Sequence, residues 1–210
     1  CVISIVTAFI YFSLTVNLLE QQQIKGLKTQ KTNLSYSLRQ IISEMDLNIY
    51  ETVSEKKDIL KLNIDSSAID FLFTFQSDSD KKFNVFLAKD KYKNITPQSD
   101  FNKFKSDNPN ILINYYDLGE GGMVYYGKLM SSELLKSFAT DDKIGIILLS
   151  AKKVIAASYD TNNNANLSYN LKLHLADKNE ITKIETSNED NYFITYEPDN
   201  IFFTGNDVKF

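Results

Sequence analysis

GEGGMVYYGKLMSSELLKSF, residues 119–138, can be read in two ways, and the two imply different folds. A phosphate-cradling glycine motif follows a strand and opens a helix, so that the helix N-terminus meets the anion. Here the glycines lie between ILINYYDL (111–118) and MVYYGKLM (123–130), two runs rich in β-branched and aromatic residues. Both runs read as strands, and the GxxxxGK[ST] spacing is absent. GEGG is therefore a hairpin turn in which glycine supplies positive φ. The helix begins only afterwards. Ser131 or Ser132 caps it, and Leu134, Leu135 and Phe138 are expected to face the sheet.

On both sides of this segment the texture is antiparallel. AIDFLFTF (68–75) and KFNVFLAKD (82–90) read as a hairpin around a Ser/Asp/Lys turn. Residues 94–110 predict a short surface helix carrying Phe101 and Phe104 one turn apart, with Pro97 suited to its start. KIGIILLSAKKVIAASY (143–159) reads as strand, AKK turn, strand. LSYNLKLHLA (167–176) alternates strictly, which marks a half-buried strand with His174 on its polar face. Residues 179–187 and 191–199 complete an antiparallel set, and 201–210 starts a further element.

The N-terminus has a different character. CVISIVTAFIYFSLTVNLL (1–19) holds no charge and approaches the roughly 20 residues that cross a bilayer as helix. It is expected to be a transmembrane helix. The apolar residues Ile24, Leu27, Leu34, Leu38, Ile41, Met45, Ile49 and Val53 then recur in steps of three and four, with one gap at Lys31. That is a long amphipathic helix, unbroken by proline, expected to run on from the span. Its stripe can pack on its own domain, and its spacing also suits a parallel homodimer seam. The organisation expected is 1–19 membrane span, 20–62 long helix and 63–210 α+β domain. By the positive-inside rule Lys25, Lys28, Lys31 and Arg39 lean cytoplasmic, although long domains cross largely regardless of charge.

Composition closes several doors. Hydrophobic residues make up 43% of the 210, enough for a packed core. A net charge of −4 offers no basic surface for a phosphate backbone, so nucleic acid is not an expected partner. One cysteine, Cys1, allows no intrachain disulfide. One histidine, His174, excludes a metal site of several His or Cys ligands. No nucleophile–base pair or paired acid constellation is visible, so the segment is not expected to be an enzyme, and no cofactor or metal is implied.

The order of span, long helix, hairpin, short helix and strands resembles the extracytoplasmic sensor domains of bacterial receptors, the Cache and CHASE4-like group with a PAS-like core. Residues 121–158 carry the likeness. A strand ending in Gly127-Lys128 leads into SSELL (131–135), and IGIILLSAKKVIAAS (144–158) follows as a strand pair. The resemblance implies a PAS/Cache-like antiparallel sheet with flanking helices. It also implies a membrane signal-transduction receptor of the histidine kinase, diguanylate cyclase or phosphodiesterase, or chemoreceptor type. Residues 20–210 would lie outside the cytoplasm at a bacterial inner membrane, bind a small molecule or partner protein, and relay a helix movement. The tryptophan and arginine of many amino-acid-binding members have no counterpart here, since Trp is absent and Arg39 lies on the helix. A membrane-anchored periplasmic assembly protein is the alternative.

In PAS-like sensors the ligand lies on the sheet face under the connecting helices and loops. The candidate ligand residues are accordingly Tyr115, Tyr116, Asp117, Tyr125, Tyr126 and Lys128. Successive strand residues point to opposite faces, so one of Tyr125 and Tyr126 is expected inside and the other outside.

Overall fold

The computed structural model describes residues 2–54, 59, 62–75, 82–95, 101–119, 122–140, 144–151, 153–158, 181–185, 190–198, 201–205 and 208–210, with backbone alone for 2–6, 8, 181–185 and 190–193. Cys1, His174 and the strand expected over 167–176 lie outside these residues.

Helix α1 (Val2–Ser54) is one continuous element of 53 residues, about 80 Å long at 1.5 Å per residue. It runs past residue 19 without a break, as the sequence leads one to expect, and is described as far as Ser54. The apolar stripe does what its period requires. Leu34, Leu38, Ile41, Met45 and Ile49 are all buried, because positions three and four apart share one face. That stretch of the stripe is spent on the chain's own core.

Among the described residues no helix is long and apolar enough to cross a membrane.

After a short 3-10 turn (Ile64–Ser66) come β1 (Phe71–Phe75), β2 (Phe83–Ala88), α2 (Phe101–Asp107), β3 (Ile111–Asp117), β4 (Met123–Leu129), α3 (Ser132–Phe138), β5 (Ile147–Ser150), β6 (Lys153–Ala157), β7 (Ile181–Glu185), β8 (Asp190–Ile194) and β9 (Phe202–Phe203). The fold is α+β. A five-stranded antiparallel sheet runs β2-β1-β4-β3-β9, and two hairpins, β5-β6 and β7-β8, accompany it. Backbone bonds between Leu149 and Lys209 and between Tyr196 and Phe210 tie the C-terminal residues to the body.

The glycine turn joins β3 to β4 as expected. Gly119 and Gly122 take φ of 68° and 82°, the left-handed region that glycine enters without a Cβ penalty. Gly127 answers a different need. A Cβ there would meet the Leu112 carbonyl oxygen at 2.7 Å, so the β3–β4 approach requires its absence. Ser131 caps α3 by accepting a hydrogen bond from the Leu134 amide at 3.2 Å.

The sheet has two covered faces. Leu72, Leu112, Val124 and Tyr126 point toward the stripe of α1 and share its core with Met130, Leu135, Ile146 and Leu148. Phe71, Phe73 and Ile111 point the other way, onto Phe101 and Phe104 of α2.

Candidate functional site

The six candidate side chains do not gather at one place. Strand register sets Tyr115 opposite Tyr125, and Asn114 opposite Tyr126. Alternation then sends Tyr115 and Tyr125 to the α2 face, and Tyr116, Tyr126 and Lys128 to the α1 face.

On the α2 face, Tyr125 stacks on Phe73 with centroids 5.5 Å apart and planes 4° apart, and packs on Phe75 at 4.9 Å. Phe83, Phe86, Phe101 and Phe104 close around the same ring set. Tyr115 sits at the margin, 52% exposed. The expectation of one tyrosine inside and one outside is therefore corrected. Both Tyr125 and Tyr126 are packed, because a helix covers each face. Asp117 acts locally, its carboxylate accepting the Gly119 amide at 2.7 Å and so shaping the glycine turn.

The α1 face carries the polar chemistry. The Tyr126 hydroxyl donates to Asp46 Oδ1 on α1 at 2.6 Å, and Asn114 Nδ2 donates to the same oxygen at 2.8 Å. Burial and the Asp46 carboxylate hold the Tyr126 phenol far above its usual value, so it stays a donor. Two residues on, Asn48 Oδ1 accepts the Ala68 amide at 2.7 Å. Nearer the N-terminus, Gln30 is buried. Its amide donates to the Phe138 carbonyl at 2.7 Å, and its oxygen accepts from the Thr140 amide and hydroxyl at 2.9 and 2.6 Å. Gln30 thus satisfies the last carbonyl of α3, an otherwise orphaned group. Three polar pins, Gln30, Asp46 and Asn48, fix where α1 lies along the body. Sequence reading missed them. Gln30 beside the gap at Lys31, and Asp46 flanking the stripe at Met45, were the only signals.

Past the end of the pins is a charged row. The register that pairs Phe71 with Ala88 and with Gly127 continues outward, setting Asp70 between Lys89 and Lys128. Asp70 is buried. Its Oδ1 lies 3.1 Å from Lys89 Nζ, and its Oδ2 accepts the Leu129 amide at 3.1 Å. Lys89 also donates to the Ser67 carbonyl, and Lys128 to the Ala68 carbonyl, each at 2.9 Å. Burial, with Lys89 nearby, pulls the Lys128 amine below its ordinary value despite the opposing pull of Asp70. Among the described residues no three His, Cys, Asp or Glu side chains come together as a metal site.

Comparison with known proteins gives no match to a family, to a curated protein or to a solved structure.

Proposed function

We propose that the chain is the sensory region of a membrane receptor, in which α1 is both the anchor and the moving part. The observation that carries this reading is the division of labour along one unbroken helix. From Gln30 onward α1 is packed and pinned to the body. Toward the N-terminus Phe9, Tyr11, Phe12, Leu14, Leu18 and Leu19 stand exposed around the whole circumference. A helix apolar on all sides belongs in a nonpolar surrounding, and lipid satisfies that for a helix whose backbone bonds are internal.

In this reading the helical N-terminus inserts in a bacterial inner membrane and residues 20–210 lie outside the cytoplasm. The Cache-like likeness of residues 121–158 supports the sensory assignment. A ligand or partner that binds one placement of α1 more tightly than another would shift the helix through its polar pins. An output activity would belong to other parts of the receptor. The outer face of α1, opposite the buried stripe, carries Tyr36, Gln40, Ser43, Leu47 and Tyr50. Tyr36, Ser43 and Tyr50 keep heptad spacing, and Tyr36, Leu47 and Tyr50 are exposed. Identical uncharged residues meet without repulsion across a parallel two-fold axis, so the homodimer seam belongs on this face.

The test is liposome flotation of the full chain beside a Leu14→Asp/Leu18→Asp variant. The full chain should float with the vesicles in high salt and resist carbonate extraction, and the variant should not. A full chain that stays monodisperse in detergent-free buffer and does not float overturns the reading.

A further inference from the structure

We propose that β2 is a docking edge, on which an extended segment of another protein adds as a further strand, apolar in its middle and acidic at both ends. The argument begins with the two edges of the five-stranded sheet, β2 and β9. The Lys89 amide donates to the Asp70 carbonyl at 3.0 Å. Lys89 and, by alternation, Leu87 and Val85 therefore turn their backbone groups toward β1. Phe86 and Ala88 turn theirs outward. Among the described residues nothing pairs with that outer side. The opposite edge is closed. β9 is only two residues long, and beyond it Tyr115 of β3 gives its amide to the Asn114 side chain at 2.9 Å. A very short edge strand and an amide taken by a side chain leave little to pair with. β2 runs for six residues, contains no proline, and past the bulge at Asn84 keeps Val85–Ala88 in regular register. A regular, apolar open edge is what an added strand pairs with.

The same edge sets the chemistry of the occupant. Phe83, Val85, Phe86 and Leu87 are each half-buried. β1 flanks their side chains on one side, and an added strand with apolar or β-branched residues covers them on the other. Exposed Lys82 precedes the strand and exposed Lys91 follows it, the latter with its ammonium 4.6 Å from the Tyr92 ring centre. The neighbouring lysines already face carboxylates: Lys89 lies 3.1 Å from Asp70, and Lys93 lies 2.6 Å from Asp90. Lys82 and Lys91 thus put positive charge at both ends of the edge of a chain whose net charge is −4. Complementarity calls for an acidic residue at each end of the added strand. A second copy does not fit. Two β2 edges pair antiparallel about a two-fold normal to the sheet. α1 lies along the sheet face, so its two N-termini would point in opposite directions, which a single membrane does not allow.

The inference goes beyond the sensory reading, and only the exclusion of a second copy rests on it. The full chain, held in a mild detergent, is titrated with heptapeptides that carry Asp or Glu at both ends and alternate Val, Thr, Ile and Phe between them. The same peptides flanked by Lys are the control. The readouts are fluorescence anisotropy and amide hydrogen exchange. At least one acid-flanked peptide should bind saturably and slow exchange at Phe86 and Ala88. Methylating alternate backbone nitrogens of that peptide, one set and then the other, should abolish binding for the set that faces β2. Lys82→Glu/Lys91→Glu, at two exposed positions outside the core, should weaken binding about tenfold and favour the Lys-flanked peptides. No saturable protection at Phe86 and Ala88 overturns the proposal, as does binding that survives both methylated forms or the charge reversal. Protection that grows with protein concentration in the absence of peptide would place a second copy on the edge and overturn it too. Peptide binding by a chain that fails to float on liposomes would keep this site and remove the receptor reading. Flotation without peptide binding would do the reverse.

Discussion

The two faces of the central sheet are built by opposite means. The α2 face is held by rings. Phe71, Phe73, Phe83, Phe86, Phe101 and Phe104 meet edge-on, tilted or stacked, with centroids 5.4 Å apart in Phe83–Phe86 and 6.4 Å apart in Phe101–Phe104. Such contacts contribute much and specify little, since apolar burial is nearly non-directional. The α1 face adds discrete hydrogen bonds to its aliphatic stripe. An aliphatic ridge alone could slide along the sheet by a turn, but Asp46 reaches Tyr126 and Asn114 from one position only. Both faces bury apolar side chains, but fixed placement resides on one, where the polar pins set the position of α1.

Three substitutions test that contrast. Phe73→Ala should have the largest effect. It empties the centre of the ring cluster and should cost about 3–5 kcal/mol in denaturant unfolding. A loss under about 1 kcal/mol would mean that the ring cluster contributes little to stability. Tyr126→Phe keeps the ring and removes one bond to a carboxylate, so a cost of about 1–2 kcal/mol is expected. Its signature is in pH. The folded phenol is held above its ordinary value of about 10, so the folded state keeps a proton that the unfolded chain releases. That stability is complete below about pH 10 and declines as pH rises beyond it. The Phe variant should lack this alkaline component, and identical pH profiles would remove Tyr126 from the pinning role. Tyr36→Ala, on the outer face of α1, should change unfolding by less than about 0.5 kcal/mol while weakening self-association in sedimentation. A stability loss comparable to that of Tyr126→Phe would place Tyr36 in the fold rather than in a dimer seam.

Much of the local structure was legible from residue order. The GEGG turn, the strands on either side of it, the Ser131 cap and the stripe from Leu34 to Ile49 follow from turn chemistry and from periods of two and 3.6. Those are properties of neighbouring residues, so a chain read in order displays them. The candidate site was legible only in part. Tyr125 and Tyr126 stood out as a pair, yet nothing in YY says that each will be covered by a different helix. Asp46 and Gln30 read as ordinary polar positions on a long helix. Their partners are 80 and 108 residues away in sequence.

Residue order alone therefore specified the elements and the alternation that gives the sheet two faces, because backbone dihedrals and burial periodicity are local. Folding had to bring the rest about: Lys128 stands beside the buried Lys89–Asp70 pair, and Tyr126 holds a helix in place. Hydrogen bonds and charge balance depend on which groups meet once the chain has folded, and strand register brings Lys89, Asp70 and Lys128 into one row from three separate segments.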